Sequence, residues 1–402
     1  MPDKTPRTRI LIVNESLTYG GGEKSLLNLL AAIDYSRYDV DLQLMRYGAD
    51  WEQYIPAEVN VLPPLPYMEY TRLPLPRAVI YSIAHCKFSW LWSRLKYTAL
   101  LRVRTSYGNI QKACLFWKCQ DGNFEPVRGE YDYVIAYAQG IPTFYVADKT
   151  SAVRKKLAWI NVSYKPRGQV DYIEDKYRTI DTVVAVSESV RAIEEEVFPS
   201  FRGRMAVMRD MVNPELIWRL SDAPAELSKD SQRLTLVTLG RLNHQKGYDI
   251  AVEAASELKH TGVPFVWYVL GDGVMESEIR GWIRERGLEG QFVLLGAKTN
   301  PYPYLKLADI YVQTSKFEGF GLAIAEARIL NIPVVTTRFD AVFMQMVDGC
   351  NGLVTDMDGS SVARAVVRLW QDGELYRSVA GYLKHEPKGN MHLVNEFYKL
   401  LS

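Results

Sequence analysis

The chain has 402 residues, 48% of them hydrophobic and 24% charged, with a formal net charge of +1. This composition is ordinary for a globular protein, and the length predicts two to three domains. No apolar run approaches the about 20 residues that cross a bilayer. The four cysteines form no C-x-x-C pair and the five histidines show no metal-ligand spacing. A membrane-spanning protein and a Cys or His metal site are therefore not expected.

The first predicted elements are a buried strand, "RILIV" (9–13), and a helix, "EKSLLNLLAAI" (23–33), with apolar residues at helical spacing. Three consecutive glycines lie between them: Gly20, Gly21 and Gly22. The stretch is not a P-loop, because Glu23 separates the last glycine from Lys24. Glycine N–H groups at a helix start can approach an anion closely, so a ligand-binding loop is predicted. A tight strand-to-helix turn is the alternative.

Short apolar runs alternate with helical stretches through both halves of the chain. Strands are predicted in the first half at 40–45, 59–62, 133–137, 157–160, 182–187 and 205–208. A polar, proline-containing linker, 221–233, comes next. The second half has strands at 234–240, 265–271, 292–296, 310–313, 333–337 and 352–354, with helices such as 249–262 between them. This alternation predicts an α/β fold with two doubly wound Rossmann-like domains facing across a cleft.

Residues 70–120 contain no Asp or Glu, nine Lys or Arg and many aromatic residues. The cations are Arg72, Arg77, Lys87, Arg94, Lys96, Arg102, Arg104, Lys112 and Lys118. No nucleic-acid-binding motif accompanies them, so no nucleic-acid partner is expected. Cations with interleaved Trp and Tyr are typical of a surface that docks on anionic lipid. An ordinary helical insert packed on the first domain is the alternative.

Two pairs of charged residues come after strands of the second half. Arg241 and Lys246 lie in the loop after strand 234–240, and Glu318 and Glu326 flank a glycine turn after strand 310–313. Such cations can neutralise a diphosphate without a metal, and a helix start can hold a phosphate. The glutamates can accept hydrogen bonds from a ribose or a sugar. Their shared position after parallel strands favours a ligand site over solvated surface residues.

Four segments, "GRLNHQKGYD", "GDGVMESEI", "NPYPYLKLADI" and "FEGFGLAIAEA", resemble family 4 glycosyltransferases of the GT-B fold. The two glutamates match the family's E-x7-E element, and "YGGGEKSLLNLL" matches its N-terminal glycine loop. "KKLAWINVSY" with "VAVSESV" is similar to the first domain of members from bacterial capsule and lipopolysaccharide clusters. The resemblance is strongest over 234–340 and weak over 65–125.

The resemblance implies sugar transfer from a nucleotide-diphosphate donor with retention of configuration, without a metal or cofactor, in cell-envelope polysaccharide synthesis. A UDP-sugar is the favoured donor, and the acceptor is a glycan or a lipid-linked glycan. Arg241 and Lys246 would hold the diphosphate, Glu326 the ribose and Glu318 the sugar hydroxyls. Further donor contacts are implied at Phe320, Gly321, Leu322, Gly240, Asp272, Gly20, Gly21 and Gly22.

The sequence departs from the family at Asn161, where many members have a histidine near the transferred sugar. Asparagine can hydrogen-bond a sugar hydroxyl but cannot act as an acid or base at neutral pH. This leaves open a catalytically weak nucleotide-sugar-binding protein. A candidate metal motif, the D-x-D at 356–358, is interpreted as a loop because it lies in a turn-rich stretch.

The expected domains are 1–212, on the acceptor side, and 213–385, which binds the nucleotide sugar, with a C-terminal helix at 386–402 packing back on the first. "MPDKTPRTR" leads straight into a strand, so no signal peptide is expected, and the cysteines suit a reducing compartment. The predicted location is therefore cytoplasmic, on the inner face of the plasma membrane. A sugar-phosphate synthase of the same fold with a soluble acceptor is the second enzyme alternative.

Overall fold

A computed structural model describes residues 7–18, 20–103, 108–151, 153–164 and 168–402. The chain divides into two compact units. The N-terminal unit contains the described residues up to Asp210 together with His392–Ser402, and the C-terminal unit contains Met211–Met391. Residues 386–391, assigned from the sequence to the last helix, thus belong to the C-terminal unit.

The described part of the N-terminal unit has a seven-stranded parallel sheet in the order β3-β2-β1-β4-β5-β6-β7. Its first elements are β1 (Thr8–Asn14), α1 (Gly21–Ala32), β2 (Tyr38–Leu44), β3 (Asn60–Val61), α2 (Pro66–Arg72), α3 (Leu75–Ala84), α4 (Phe88–Val103) and α5 (Asn109–Gln120). The later ones are β4 (Tyr133–Ala136), α6 (Ile141–Lys149), β5 (Lys155–Ile160), α7 (Val170–Tyr177), β6 (Thr182–Ala185), α8 (Glu188–Val197) and β7 (Met205–Val207). The central strands have continuous runs of buried apolar residues, such as 10–13 of β1 and 157–160 of β5, as is typical of a parallel sheet that is covered on both faces.

The C-terminal unit has a six-stranded parallel sheet in the order β10-β9-β8-β11-β12-β13, counted over its described residues. It begins with α9 (Pro214–Ser221), β8 (Leu234–Leu239), α10 (Tyr248–His260), β9 (Phe265–Leu270), α11 (Glu276–Glu285) and β10 (Phe292–Gly296). It continues with α12 (Tyr302–Leu305), β11 (Ile310–Gln313), α13 (Leu322–Ile329), β12 (Val334–Thr337), β13 (Gly352–Thr355), α14 (Gly359–Gln371) and α15 (Gly373–His385). Its core includes Trp267 of β9, whose Nε1 donates to Thr238 Oγ1 at 2.9 Å.

The strand predictions are confirmed, since each predicted apolar run contains a strand of one of the two sheets. In both sheets the third strand in the chain lies at one edge and the first strand lies beside the fourth. The strand order therefore reverses between β1 and β4 in one unit and between β8 and β11 in the other. Loops at the carboxyl ends of these strands are where doubly wound sheets bind ligands.

The polar composition of 221–233 predicted a linker between the two units, and this prediction is wrong. The stretch lies within the C-terminal unit, where Glu226 binds Lys298 at 2.6 Å and Lys229 binds Asp309 at 2.6 Å. Its charged side chains thus find partners around β10 and β11, which composition alone does not reveal.

The last helix, α16 (Val394–Leu401), belongs to the N-terminal unit. Tyr398 stacks on Tyr38 of β2 with ring centroids 5.1 Å apart, and its hydroxyl accepts the N–H of Asp34 at 2.8 Å. Lys155 of β5 donates to Leu400 O at 2.8 Å. No helix among the described residues is long and apolar enough to cross a membrane.

Candidate functional site

Two loops of the C-terminal unit meet where the strand order reverses. The loop after β8 (240–247) and the loop after β11 (314–321) are joined by main-chain and side-chain hydrogen bonds. Lys316 N donates to Gln245 O at 2.8 Å, and Thr314 Oγ1 donates to Lys246 O at 2.9 Å. Gln245 Nε2 also donates to Phe317 O at 3.0 Å. The two segments that the sequence singled out are therefore one structural unit.

Gly247 makes this close approach possible. Its φ is +63°, and a Cβ at this position would lie 2.0 Å from Thr314 O. No other residue fits both the left-handed backbone and the contact. The glycine therefore fixes where Lys246, the preceding residue, enters the site.

Lys246 and Glu318 form an ion pair in these loops. Lys246 Nζ lies 2.6 Å from Glu318 Oε1, and the Glu318 side chain is only 8% exposed. The aliphatic stem of Lys246 covers Gly240, where a Cβ would meet Lys246 Cε at 3.0 Å. Removing one partner of such a half-buried pair leaves the other charge uncompensated, which is strongly destabilising.

Glu318 is held by more than the lysine. Its Oε1 also accepts from Ser315 Oγ at 2.6 Å and from Gln313 Nε2 at 3.2 Å. Its Oε2 accepts from Gln245 Nε2 at 3.2 Å. An ionised carboxylate offers about four acceptor positions, so Oε2 retains capacity for a ligand hydroxyl. The sequence indicated Glu318 but not these three supporting side chains.

The other predicted donor contacts follow the carboxyl ends of β8, β9 and β11. The Arg241 side chain is exposed, and Asp272, also exposed, accepts the N–H of Leu242 through its main-chain oxygen at 2.7 Å. Glu326 of α13 is only 3% exposed and accepts from Tyr302 Oη at 3.0 Å. Tyr302 thus orients this carboxylate.

The glycine turn before α13 lies where the sequence predicted it, between Glu318 and Glu326. Gly321 is the N-cap of α13 with φ +85°, Phe320 precedes it, and Leu322 is the first helical residue. Gln345, which the sequence did not indicate, donates to Phe320 O at 2.5 Å and to Gly321 O at 3.1 Å. The first N–H groups of a helix have no acceptor within it, so this turn can offer them to an anion.

In the N-terminal unit, the glycine turn and Asn161 lie together. Gly20 is the N-cap of α1, and Gly21 and Gly22 form its first turn, two residues earlier than predicted. A Cβ on Gly22 would lie 3.1 Å from Asn161 Nδ2, which itself donates to Tyr137 O at 3.0 Å. Asn161 Oδ1 is buried and has no hydrogen-bond partner among the described residues.

A buried polar cluster supports this glycine turn. Ser25 Oγ and Tyr137 Oη are 2.9 Å apart. Burial raises the pKa of Asp210 to about 6, partly offset by a hydrogen bond from Ser25. The Nζ of Lys24, the residue that resembled a P-loop lysine, lies 5.4 Å from the centre of the Trp51 ring.

The D-x-D sequence has a structural role at Asp358. This residue is the N-cap of α14, and its Oδ1 accepts the N–H of Ser361 at 2.7 Å. That hydrogen bond lowers the pKa of the carboxyl. Within the described residues, no group of three His, Cys, Asp or Glu side chains is placed to hold a metal ion.

The basic aromatic segment forms the helices from α2 to α5 and divides into an inner and an outer part. Trp90 and Trp117 are buried, and Arg94 donates to Tyr70 O at 3.2 Å and to Leu73 O at 2.5 Å. The guanidinium of Arg94 thus holds the end of α2, and a contact of this residue with a membrane stays a prediction. Arg104, another of the nine cations, lies outside the described residues.

The outer part of the segment exposes apolar side chains. Trp92 is 72% exposed and Ile80 is 67% exposed. Phe88, Trp92 and Leu95 recur at helical spacing on α4 and are all exposed. The exposed cations nearby include Arg77, Lys87, Lys96 and Arg102. Arg72, however, has an acidic partner just outside the segment, since it lies 3.2 Å from Glu69.

The C-terminal unit matches a known protein family. The sequence model of the family described as Glycosyl transferases group 1 matches residues 221–385. The chain is 29% identical over 174 residues to the lipopolysaccharide core biosynthesis glycosyltransferase LpsE of Rhizobium meliloti, covering 43% of this chain and 48% of that protein.

A second relative is the N-acetylgalactosamine-N,N'-diacetylbacillosaminyl-diphospho-undecaprenol 4-alpha-N-acetylgalactosaminyltransferase of Campylobacter jejuni. The two are 28% identical over 155 residues, which are 38% of this chain and 42% of that enzyme. The chain thus spans less than half the length of these curated relatives.

The fold is similar to the crystal structure of Anabaena Alr3699/HepE in complex with UDP. The TM-score is 0.66 with 17% identity, over 98% of this chain and 99% of that one. At this identity the likeness shows the fold alone, and it confirms the predicted α/β class with Rossmann-like sheets.

Proposed function

Since residues 221–385 match the group 1 glycosyl transferase family, we propose that the chain is a glycosyltransferase acting in cell-envelope polysaccharide synthesis. It moves a sugar from a nucleotide-diphosphate sugar to a glycan or lipid-linked acceptor. The observation that carries this proposal is the Lys246–Glu318 pair beside the N-terminus of α13, at the reversal point of the sheet. A cation, a carboxylate and free helix N–H groups there suit a sugar diphosphate.

The donor assignment follows from the chemistry of each group. Lys246 and Arg241 balance the charge of the diphosphate, and the N–H groups of Gly321 and Leu322 bind a phosphate oxygen. Glu318 accepts from sugar hydroxyls through Oε2, and Glu326 accepts from the ribose. A UDP-sugar is the favoured donor, in line with the UDP bound to the structural neighbour.

The proposed reaction is a front-face displacement that retains the anomeric configuration. The bond from the sugar C1 to the phosphate oxygen breaks, and the acceptor oxygen forms the new bond to C1 on the same face. The acceptor proton passes to the departing phosphate. Stabilising the negative charge on that phosphate is then the main catalytic contribution, and in this proposal Lys246 provides it without a metal ion.

Asn161 takes part as a hydrogen-bonding group rather than as an acid or base. Its buried Oδ1 can accept from a substrate hydroxyl, and its Nδ2 is engaged by Tyr137 O. The same residue favours the second candidate, a catalytically weak nucleotide-sugar-binding protein, because an amide cannot move a proton at neutral pH.

The acceptor is proposed to be reached at an anionic bilayer surface. The exposed apolar face of α3 and α4 includes Ile80 and Trp92, and the exposed cations Lys96 and Arg102 lie on the same helix as Trp92. Apolar side chains can enter the interface while the cations bind lipid phosphates. A peripheral attachment of this kind suits a lipid-linked acceptor.

The test is a donor screen followed by a turnover assay. Thermal shift with UDP-, GDP- and ADP-sugars is expected to identify one stabilising donor, because a ligand that binds the folded state raises the melting temperature. Release of the nucleoside diphosphate is then measured with and without a lipid-linked glycan acceptor. Binding without release points to the second candidate, and no stabilisation by any donor contradicts both.

A further inference from the structure

The side chain of Gln345 lies beneath the glycine turn that precedes α13. Gln345 comes eight residues after β12 and is only 7% exposed. Its Nε2 donates to Phe320 O at 2.5 Å and to Gly321 O at 3.1 Å. A single amide group therefore uses its N–H groups on two consecutive main-chain carbonyls of the turn.

These two hydrogen bonds set the direction of the next two N–H groups. In a planar trans peptide the C=O of one residue and the N–H of the following residue point in opposite directions. With the carbonyls of Phe320 and Gly321 turned toward Gln345, the N–H groups of Gly321 and Leu322 point away from it. They are also among the helix-start N–H groups that have no acceptor within α13.

The orientation of the amide is well determined. A flipped amide would place Oε1 against two carbonyl oxygens, which are acceptors only. In the present orientation Oε1 is buried and has no hydrogen-bond partner among the described residues. An unpaired buried acceptor costs free energy. A hydrocarbon side chain at this position would avoid the unpaired acceptor. The two hydrogen bonds that Nε2 donates to the turn offset this cost.

A buried network holds Gln345 in place. Asn351 Nδ2 donates to Gln345 O at 3.0 Å, and Asn351 Oδ1 accepts the N–H of Val347 at 2.9 Å. Asn351 Nδ2 also donates to Glu386 Oε2 at 3.4 Å, and Glu386 in turn lies 2.7 Å from Arg328 of α13. The residue that holds the turn is thus anchored to the same helix whose start it orients.

We infer that Gln345 is a positioning residue for the donor diphosphate: it aims the N–H groups of Gly321 and Leu322 at a phosphate oxygen without touching the substrate itself. The inference rests on the proposed function, because it presumes that this turn binds a nucleoside diphosphate. It predicts that Gln345 matters for the phosphates of the donor and not for its nucleoside.

The test compares Gln345→Met, which keeps the size and removes the N–H groups, with the unchanged protein. Binding of UDP, GDP and ADP and of their nucleosides is measured by calorimetry at one temperature below the melting transition of every variant. We expect the affinity of Gln345→Met for the preferred diphosphate to fall about tenfold, the effect of losing roughly one charge-assisted hydrogen bond. Its affinity for the nucleoside should stay the same.

Thr235→Val is the matched control, because Thr235 is buried in β8 and its Oγ1 has no hydrogen-bond partner among the described residues. It should leave both affinities unchanged. If Gln345→Met does not fold, Gln345→Glu, which keeps the shape and loses the amide donors, takes its place in the comparison.

The outcomes separate the inference from the proposed function. If the unchanged protein binds a diphosphate and the folded Gln345 variant keeps its preference for diphosphate over nucleoside, the inference is wrong and the function stands. An equal loss of diphosphate and nucleoside binding would mean a merely structural role and also overturn it. If the unchanged protein binds none of the three diphosphates, the donor assignment is wrong and the inference with it.

Discussion

The two units share a strand order but differ in the loops at the carboxyl ends of their strands. In the C-terminal unit, the loops after β8 and β11 bring a lysine and a glutamate within 2.6 Å. In the N-terminal unit, the region after β1 and β5 brings Gly22 against the amide of Asn161. The first arrangement holds an ion pair and is proposed for the anionic donor, and the second offers an uncharged amide and is proposed for substrate hydroxyl groups. The same sheet topology therefore supports two chemistries, which its loops decide.

The buried carboxyl groups of the two units also differ in their surroundings. Glu318 of the C-terminal unit is compensated by Lys246 and three further donors. In the N-terminal unit, burial raises the pKa of Glu194 to about 7 and that of Asp210 to about 6. Charge pairing in one unit and desolvation in the other lead to different responses to mutation and to pH.

The largest expected effect comes from removing the charge of Lys246. Lys246→Ala should lower kcat for sugar transfer by about 10²–10³-fold, because the lysine is proposed to stabilise the leaving diphosphate. Nucleoside binding should change little. Steady-state release of the nucleoside diphosphate and nucleoside titration measure the two quantities.

Lys316→Ala is the control for this comparison. Lys316 is in the neighbouring loop and forms its own ion pair with Asp249 at 2.7 Å. Because Lys246→Ala also leaves Glu318 without its cation, melting temperatures are recorded for both variants. Full turnover with only a raised donor KM would mean that Lys246 binds the donor but does not act in the chemical step.

The next effect concerns the surface of α3 and α4. Lys96→Glu with Arg102→Glu should reduce binding to anionic vesicles more than tenfold, since each cation near such a surface contributes about 1 kcal/mol. Co-sedimentation at low and high salt measures the bound fraction, and nucleotide binding should be unchanged. The matched control reverses two exposed cations of the C-terminal unit, Arg284 and Lys384. If the unchanged protein does not co-sediment with anionic vesicles at low salt, a soluble acceptor is indicated.

An effect on stability rather than on function is expected from the buried carboxyl of α8. Glu194 is fully buried, and its pKa is raised from 4.5 to about 7 mainly by desolvation. Between these values the unfolded chain has lost the proton and the folded protein has kept it, so the free energy of unfolding falls as the pH rises. At about 1.4 kcal/mol per pKa unit, this contribution is on the order of 3 kcal/mol.

Glu194→Gln cannot ionise and should remove that part of the pH dependence. Melting temperatures between about pH 4.5 and pH 8 measure it, with Glu196→Gln on the exposed side of α8 as the control. A variant whose melting temperature still falls as steeply as that of the unchanged protein would show that Glu194 is ionised in the folded state.

The smallest expected effect is that of metal removal. EDTA should leave sugar transfer unchanged, because Lys246, Arg241 and the helix N–H groups are proposed to supply the positive charge. Turnover is measured before and after chelation and again with added Mg²⁺ or Mn²⁺. Activity that is lost with EDTA and restored by either ion would contradict the proposed donor site. Asp356 and Asp358 would then become the candidate metal ligands.

The sequence alone determined the elements and where each loop begins. The apolar runs of β1, β8 and β11 are local patterns, and burial in a parallel sheet requires such runs. The glycines before α1 and α13 likewise indicate their turns locally. For this reason the carboxyl-end loops that carry Lys246, Glu318 and Asn161 were predictable from the chain alone.

Only the tertiary structure decided which of these residues meet. Glu318 and Lys246 are 72 positions apart, and Gln345 reaches back 24 positions to Gly321. The stretch 221–233 appeared to be a linker and Arg94 a surface cation, yet both bind groups of their own unit. Pairings of this kind depend on the order of strands in the sheet and on the packing of helices against it, and neither leaves a periodic signal in the sequence.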